Sequence, residues 1–263
     1  MQTAYAVLYH DVTDDPKTSG FQNAEAYIYT HSVDHFLSDL EVLLNSLPDH
    51  VIRNISFNDC LPDIDAGLLL TFDDGGNSGM YIADELEALG LCGFFLMTTR
   101  MLGDSYFLTA GELRQLDQRG HKIGVHTHNH FSPFKNLSYT DKVDEWKHSC
   151  SILEDTLGHS VVIGSIPGGT MDSNTIKSAA EAGLKLLFTS EPTRRIRYCG
   201  SMAVIGRICP KRSTSKSFLK WAVSSKTLLP ITLMWHAKAF VKSCINLGRR
   251  KHYIMEPHLY DGR

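Results

Sequence analysis

The sequence predicts an α/β protein of one domain, built from βα units around a parallel sheet that is either open or closed. Three observations carry this expectation. Short apolar runs alternate with helix-period segments of roughly 10 to 18 residues, the pattern of strand–helix–strand crossovers. Glycines stand where those helices should stop, at Gly90, Gly120, Gly158 and Gly183. The chain has 263 residues, 43% of them hydrophobic and 21% charged, enough for one full-sized core, and no repeat or low-complexity linker divides it.

Residues 4–9 read as the first strand. The polar segment 11–30 is longer than an ordinary connection and is expected to cover a site. Residues 33–45 carry Val33, Phe36, Leu37, Leu40, Leu43 and Leu44 at helical spacing behind Ser32, a good N-cap. A buried strand at 67–72, a helix at 80–89 and a strand at 93–97 follow. Thr109 and Glu112 make a capping box for a helix that runs to Gly120. Further units are a strand at 122–125, a helix at 140–157, a strand at 161–165, a helix at 173–182 and a strand at 184–188. Beyond Thr189 the pattern weakens to a strand around 202–208, a basic helix at 215–223, an apolar run at 228–235 and a helical stretch at 237–246.

The net charge of −3 hides an uneven distribution. Residues 1–184 hold 10 Lys/Arg against 26 Asp/Glu, whereas residues 185–263 hold 16 against 3. A basic last third marks a partner or a surface. The six cysteines are scattered without a C-x-x-C pair, which reads as reduced core thiols in a reducing compartment. The N-terminus lacks a basic region followed by an apolar core, so it does not read as a signal peptide. No apolar run approaches the roughly 20 residues that span a bilayer. These features together predict a cytoplasmic protein.

The polar residues of chemical interest fall where strands end. Thr71-Phe72-Asp73-Asp74-Gly75 ends one strand, and His126-Thr127-His128-Asn129-His130 ends another. Sites of parallel α/β proteins form at those strand ends. Two adjacent carboxylates after an apolar strand repel each other and lose solvation unless a cation or hydrogen-bond donors offset this. A metal supplies the cation, and His126 and His130 can present two imidazoles to one point if their segment curls into a turn. Two histidines and one carboxylate leave coordination positions open, as in catalytic zinc sites, and the second carboxylate is then free to act as a base. The plain alternative is that Asp73 and Asp74 cap the following helix and the histidines are surface residues.

The TFDDG run at Thr71–Gly75 and the H-[ST]-x-x-H run at His126–His130, preceded by Gly120-His121-Lys122-Ile123-Gly124, resemble the polysaccharide deacetylases, the NodB-homology carbohydrate esterases that include chitin and peptidoglycan N-deacetylases. The resemblance covers roughly residues 4–189. It implies a distorted (β/α) barrel spanning residues 1–263 as a single catalytic domain, with a basic variant segment at about 192–263. It also implies that Asp73 is the catalytic base, that Asp74, His126 and His130 bind the metal, and that Thr127 braces the metal loop by hydrogen bonding. Zinc is the default ion, and Co2+, Ni2+ or Mn2+ suit the same donors.

The sequence departs from the family further along. Gly164-Ser165-Ile166-Pro167-Gly168-Gly169 keeps the Pro167 and Gly168 of a substrate-side motif without its arginine, and Arg207, at a strand end, is the candidate to replace it by pairing with Asp73. Leu233-Met234-Trp235-His236 fits the family's L-x-x-H pattern for a general acid, and His10, after the first strand, is the alternative acid. The reaction implied is hydrolysis of an N-acetyl group on a polysaccharide or lipid-linked saccharide in surface-glycan biosynthesis. The rivals are a hydrolase of the same fold acting on a non-sugar amide, and a catalytically degenerate carbohydrate-binding protein.

Residues 192–255 hold 14 Lys/Arg and no Asp/Glu, interspersed with Phe218, Trp221, Leu228, Leu229, Leu233 and Trp235. This suits peripheral contact with the anionic inner face of a membrane, each cation contributing about 1 kcal/mol near it. No nucleic-acid motif accompanies the cations, so no nucleic acid is expected as a partner.

Overall fold

The computed structural model describes residues 3–53, 57–58, 61–62, 67–225 and 227–246. Eight strands form one sheet: β1 (Tyr5–Tyr9), β2 (Leu68–Phe72), β3 (Gly93–Met97), β4 (Lys122–Val125), β5 (Ile163–Ser165), β6 (Leu186–Thr189), β7 (Arg197–Cys199) and β8 (Met202–Gly206). Their order is β1-β2-β3-β4-β5-β6-β8-β7. All neighbours are parallel except β7, which runs antiparallel along β8. Beyond β8 the chain reaches back to β1, where Leu8 N donates to Ile208 O at 2.8 Å and Ile208 N to Ala6 O at 2.9 Å. These bonds curl the sheet into a distorted barrel of parallel strands, and β7 occupies part of the seam.

The longer helices are α1 (Val33–Ser46), α2 (Gly79–Ala88), α3 (Ala110–Gln118), α4 (Tyr139–Leu157), α5 (Ser173–Glu181), α6 (Lys216–Ser224) and α7 (Leu229–Asn246), and two short ones cover Ala24–Tyr27 and Asp49–Arg53. Their ends carry the expected chemistry. Ser32 accepts from His35 N, Thr109 and Glu112 close a capping box, and Gly158 ends α4 in the left-handed region at φ 80°. The apolar run at 228–235 and the helical stretch at 237–246 prove to be one helix, α7, because no residue between them breaks it. β7 and a short pairing of Phe57–Asn58 with Leu61–Pro62 were not anticipated from the sequence.

Period-two alternation divides each strand between two apolar layers. Leu69, Phe94, Leu96, Ile163, Leu186, Phe188, Ala203 and Ile205 form one cluster inside the barrel. Their strand neighbours Leu70, Phe95, Met97, Leu187 and Val204 belong to a larger cluster between barrel and helices. Gly124 on β4 allows the strands to approach: a Cβ there would lie 2.6 Å from Ile163 O and 2.7 Å from Leu96 Cδ1. Gly124→Ala is therefore expected to cost about 1–3 kcal/mol of stability, read from urea unfolding, because backbone must move to admit the methyl group.

Cys92, Cys150, Cys199 and Cys209 are free thiols. Cys60 and the basic residues 247–263 lie outside the described residues. Among the described residues no helix is long and apolar enough to cross a membrane.

Candidate active site

The inward alternation of β2 runs Leu69, Thr71 and then Asp73, so the apolar interior turns polar at the C-terminal mouth of the barrel. The same step occurs on β5, from Ile163 to Ser165, and on β8, from Ile205 to Arg207. Asp73 N donates to Tyr9 O at 3.0 Å, which fixes the end of β2 against β1. The next residue, Asp74, turns sharply at φ 76°. Thr127 at 63° and His130 at 53° are the other two described non-glycine residues with positive φ. Such conformations cost of order 1–3 kcal/mol each and persist where surrounding structure holds them. All three fall in the two polar segments singled out from the sequence.

Arg207 is fully buried, and its guanidinium grips Asp73 with both arms: Nη1 to Oδ1 at 2.7 Å and Nη2 to Oδ2 at 2.8 Å. Nη1 also donates to Thr71 Oγ1 at 3.0 Å and Nε to Thr189 O at 3.2 Å. Burial alone would raise the Asp73 pKa. The Arg207 guanidinium, by its charge and its hydrogen bonds, outweighs it and holds the carboxyl below its ordinary range. With both Nη groups committed beneath Asp73, Arg207 positions that carboxylate and offers no face to a substrate.

Ser165 Oγ donates to Asp73 Oδ1 at 3.1 Å and lies 2.5 Å from His126 Nδ1. A serine hydroxyl has one proton to give, so His126 Nδ1 carries the hydrogen of the second bond and Nε2 presents a lone pair. Burial lowers the His126 pKa to about 4, so this imidazole is neutral at neutral pH. Its Nε2 lies 3.5 Å from Asp74 Oδ1, and His130 Nε2 lies 3.4 Å from the same oxygen. The three donor atoms lie within 4.8 Å of one another.

Asp74 Oδ1 is buried without a hydrogen-bond partner. A buried carboxylate oxygen left bare is costly unless a cation takes it. Donors around a tetrahedral zinc stand roughly 3.3 Å apart, close to the separations here. The two imidazoles and the carboxylate therefore fit a divalent transition ion. Burial raises the Asp74 pKa, but the neighbouring histidines His130, His10 and His126 more than reverse this and leave the carboxyl ionised.

The remaining sequence-predicted residues divide. His10 sits half-buried at the same mouth, its ring 5.0 Å from that of Tyr29 and its Nδ1 buried without a hydrogen-bond partner. It stands close enough to influence both carboxylates, Asp73 and Asp74. His236 instead stands on α7, with 54% of its side chain exposed and Nε2 2.9 Å from Glu191 Oε1, so its hydrogen bond lies outside the cluster. Thr127 does not brace the metal loop through its hydroxyl, which is buried and unpartnered. That task falls to Glu145, which accepts from His128 N at 3.1 Å, Asn129 N at 2.8 Å and Asn129 Nδ2 at 2.5 Å.

Pro167 and Gly168 form a single turn after β5, where a Cβ on Gly168 would lie 2.4 Å from Ser132 Oγ. Segment 11–30 reaches the mouth as expected, with the Phe21 ring 5.1 Å from that of His130. Ser165 and Glu145 were not assigned roles from the sequence. Strand alternation would have found Ser165, whereas nothing local distinguishes Glu145 from the other acids of α4.

Residues 63–187 match the family model described as polysaccharide deacetylase. YxkH of Bacillus subtilis, named for the same family, is 26% identical over 138 residues, 52% of this chain and 49% of that one. The chain thus matches about half the length of this curated relative. Among solved structures, the Streptococcus pyogenes deacetylase PplD, in complex with acetate, superposes with a TM-score of 0.63 at 21% identity, over 84% of this chain and 98% of that one. A polysaccharide deacetylase from Bacillus cereus gives 0.68 at 16% identity over 84% and 69%. A de-N-acetylase from Aggregatibacter actinomycetemcomitans gives 0.66 at 19% identity over 84% and 100%. These structures share the barrel, and the segment that matches the polysaccharide deacetylase model contains Asp73, Asp74, His126 and His130.

Proposed function

We propose that the protein is a metal-dependent N-deacetylase that hydrolyses the acetamido group of an N-acetylated sugar or glycan. The observation that carries this reading is the bare, buried Asp74 Oδ1 facing two imidazole nitrogens, next to an Asp73 that is held ionised by Arg207. Asp74, His126 and His130 would hold a divalent ion, zinc by default, which supplies Lewis acidity and positive charge at the mouth of the barrel. Asp73 takes the proton of the attacking water, and Ser165 keeps its Oδ1 aimed while orienting His126. His10 hands a proton to the departing amine. Its place beside both carboxylates and its free Nδ1 favour it over His236 for that role.

The test is acetate release from N-acetylglucosamine oligomers. A chelator should abolish it and zinc restore it, and Asp74→Ala should lower it about 10³-fold with loss of bound metal. Wild-type rates in Asp74→Ala would overturn the metal mechanism.

Exposed Leu229, Leu233, Met234, Phe240 and Val241 along α7, with Phe218 and Trp221 on α6, support a place of work at the inner face of a membrane, on a lipid-linked or nascent glycan. The expected result is flotation of the protein with phosphatidylglycerol vesicles, reversed by salt because the Debye length shortens to about 3 Å at 1 M. Absence of binding to anionic vesicles would count against this location while leaving the chemistry untouched.

A further inference from the structure

A second group of titratable side chains takes no part in this chemistry. His35 and Asp39 stand four residues apart on one face of α1, and His31, four residues before His35, precedes the N-cap Ser32. The side chains of His31 and Asp39 are 0% and 1% exposed, and that of His35 is 20% exposed. His31 Nδ1 lies 3.8 Å and His35 Nε2 3.7 Å from one and the same oxygen, Asp39 Oδ2. The three donor atoms lie within 4.8 Å of one another. These separations are too long for hydrogen bonds, and both ring nitrogens are buried without a partner.

The protonation of His31 follows from its other nitrogen. Nε2 lies 3.3 Å from Pro210 O, and a carbonyl can only accept, so Nε2 carries the hydrogen and Nδ1 presents its lone pair toward Asp39. Burial lowers the His31 pKa to about 4 and that of His35 below its ordinary value, so both rings are neutral at neutral pH. The His31 lone pair aimed at a carboxylate oxygen is repelled by it unless a cation stands between them.

We propose that His31, His35 and Asp39 form a second metal site, for a divalent first-row transition ion of the zinc type, separate from the Asp74–His126–His130 cluster. Two imidazoles and a carboxylate are a standard donor set for such ions. The Pro210 carbonyl orients one imidazole from behind, as partners of metal-bound histidines do. The Asp39 carboxylate is itself held, by Tyr9 OH on Oδ2 at 3.2 Å and by Lys216 Nζ on Oδ1 at 2.6 Å. Lys216 is the built-in competitor of the ion. Its side chain is 34% exposed, so it can turn toward water when an ion arrives. An ion here would tie His31, ahead of the N-cap of α1, to the first turns of that helix, beside Tyr9 at the end of β1.

The experiment measures zinc per chain after equilibrium dialysis of the full-length protein under reducing conditions, with thermal unfolding as a second readout. About two ions are expected for the wild type, about one each for Asp74→Asn and His35→Ala, and none for the double variant. Zinc should still raise the melting temperature of Asp74→Asn, and that increment should vanish in the double variant. About one ion in the wild type, retained by His35→Ala and lost in Asp74→Asn, would overturn the second site and leave the proposed catalytic site standing. One ion lost only in His35→Ala would support the second site and overturn the catalytic one. If His35→Ala fails to fold, Lys216→Met decides: zinc retained by an Asp74→Asn background should bind about tenfold tighter without the competing lysine, and unchanged binding would overturn the site.

Discussion

Replacing Arg207 by methionine is expected to cost about 3–5 kcal/mol of folding stability near pH 7, because it leaves the Asp73 carboxylate buried without its cation. The expected loss depends on pH in a defined direction. In the wild type the folded Asp73 pKa lies below the unfolded value of about 3.9, so the stability it contributes is present above that pH and is lost as pH falls through the folded value. In Arg207→Met burial acts unopposed by the guanidinium, and the Asp73 pKa rises. The gap between wild type and variant should therefore be widest near neutrality and narrow toward pH 4, where the variant relieves its penalty by taking up a proton.

Urea unfolding of chelator-treated protein at several pH values measures this gap. A small difference that does not vary with pH would mean that Arg207 serves only to fill space among Thr71, Thr189 and Phe188. The acid limb of the acetate-release profile should move to higher pH in the same variant. Its base would then ionise later.

The contact between Arg207 and Asp73 joins residues 134 positions apart, yet both ends were legible. Inward strand positions alternate, and the run Val204-Ile205-Gly206-Arg207 puts an arginine at the mouth of a closed sheet where an aspartate needs a cation. Asp74, His126 and His130 were legible for a related reason: two short polar runs interrupt buried strands, and few arrangements besides an ion make that tolerable. The strands and capped helices up to Thr189 were equally plain, because each carries its own start and stop residues.

What escaped depends on packing between elements remote in sequence. The letters Leu233-Met234-Trp235-His236 suggest an acid, but helix phase decides where the imidazole goes. Thr232 Oγ1 donates to Pro192 O, and His236, four residues on and on the same face, is carried to Glu191 instead of the barrel mouth. Glu145 is one of several acids on α4, and only the tertiary approach of residues 128–129 gives it donors to satisfy. β7 consists of three residues whose pairing is supplied entirely by β8.

Asp73→Asn is expected to lower acetate release by about 10²–10⁴-fold while zinc content at the Asp74 cluster stays unchanged. The amide keeps the shape of the side chain but loses both its charge and its capacity to accept a proton from water. It also leaves Arg207 charged, buried and half-satisfied, so the single variant should lose stability together with activity, and either loss alone would be ambiguous. The double variant Asp73→Asn/Arg207→Met separates them. Removing both partners of a buried ion pair is far less costly than removing one, so stability should recover toward wild type, whereas activity should not, because no base has been restored. Recovery of acetate release along with stability would show that Asp73 matters only for folding, and the base would have to be sought elsewhere at the barrel mouth.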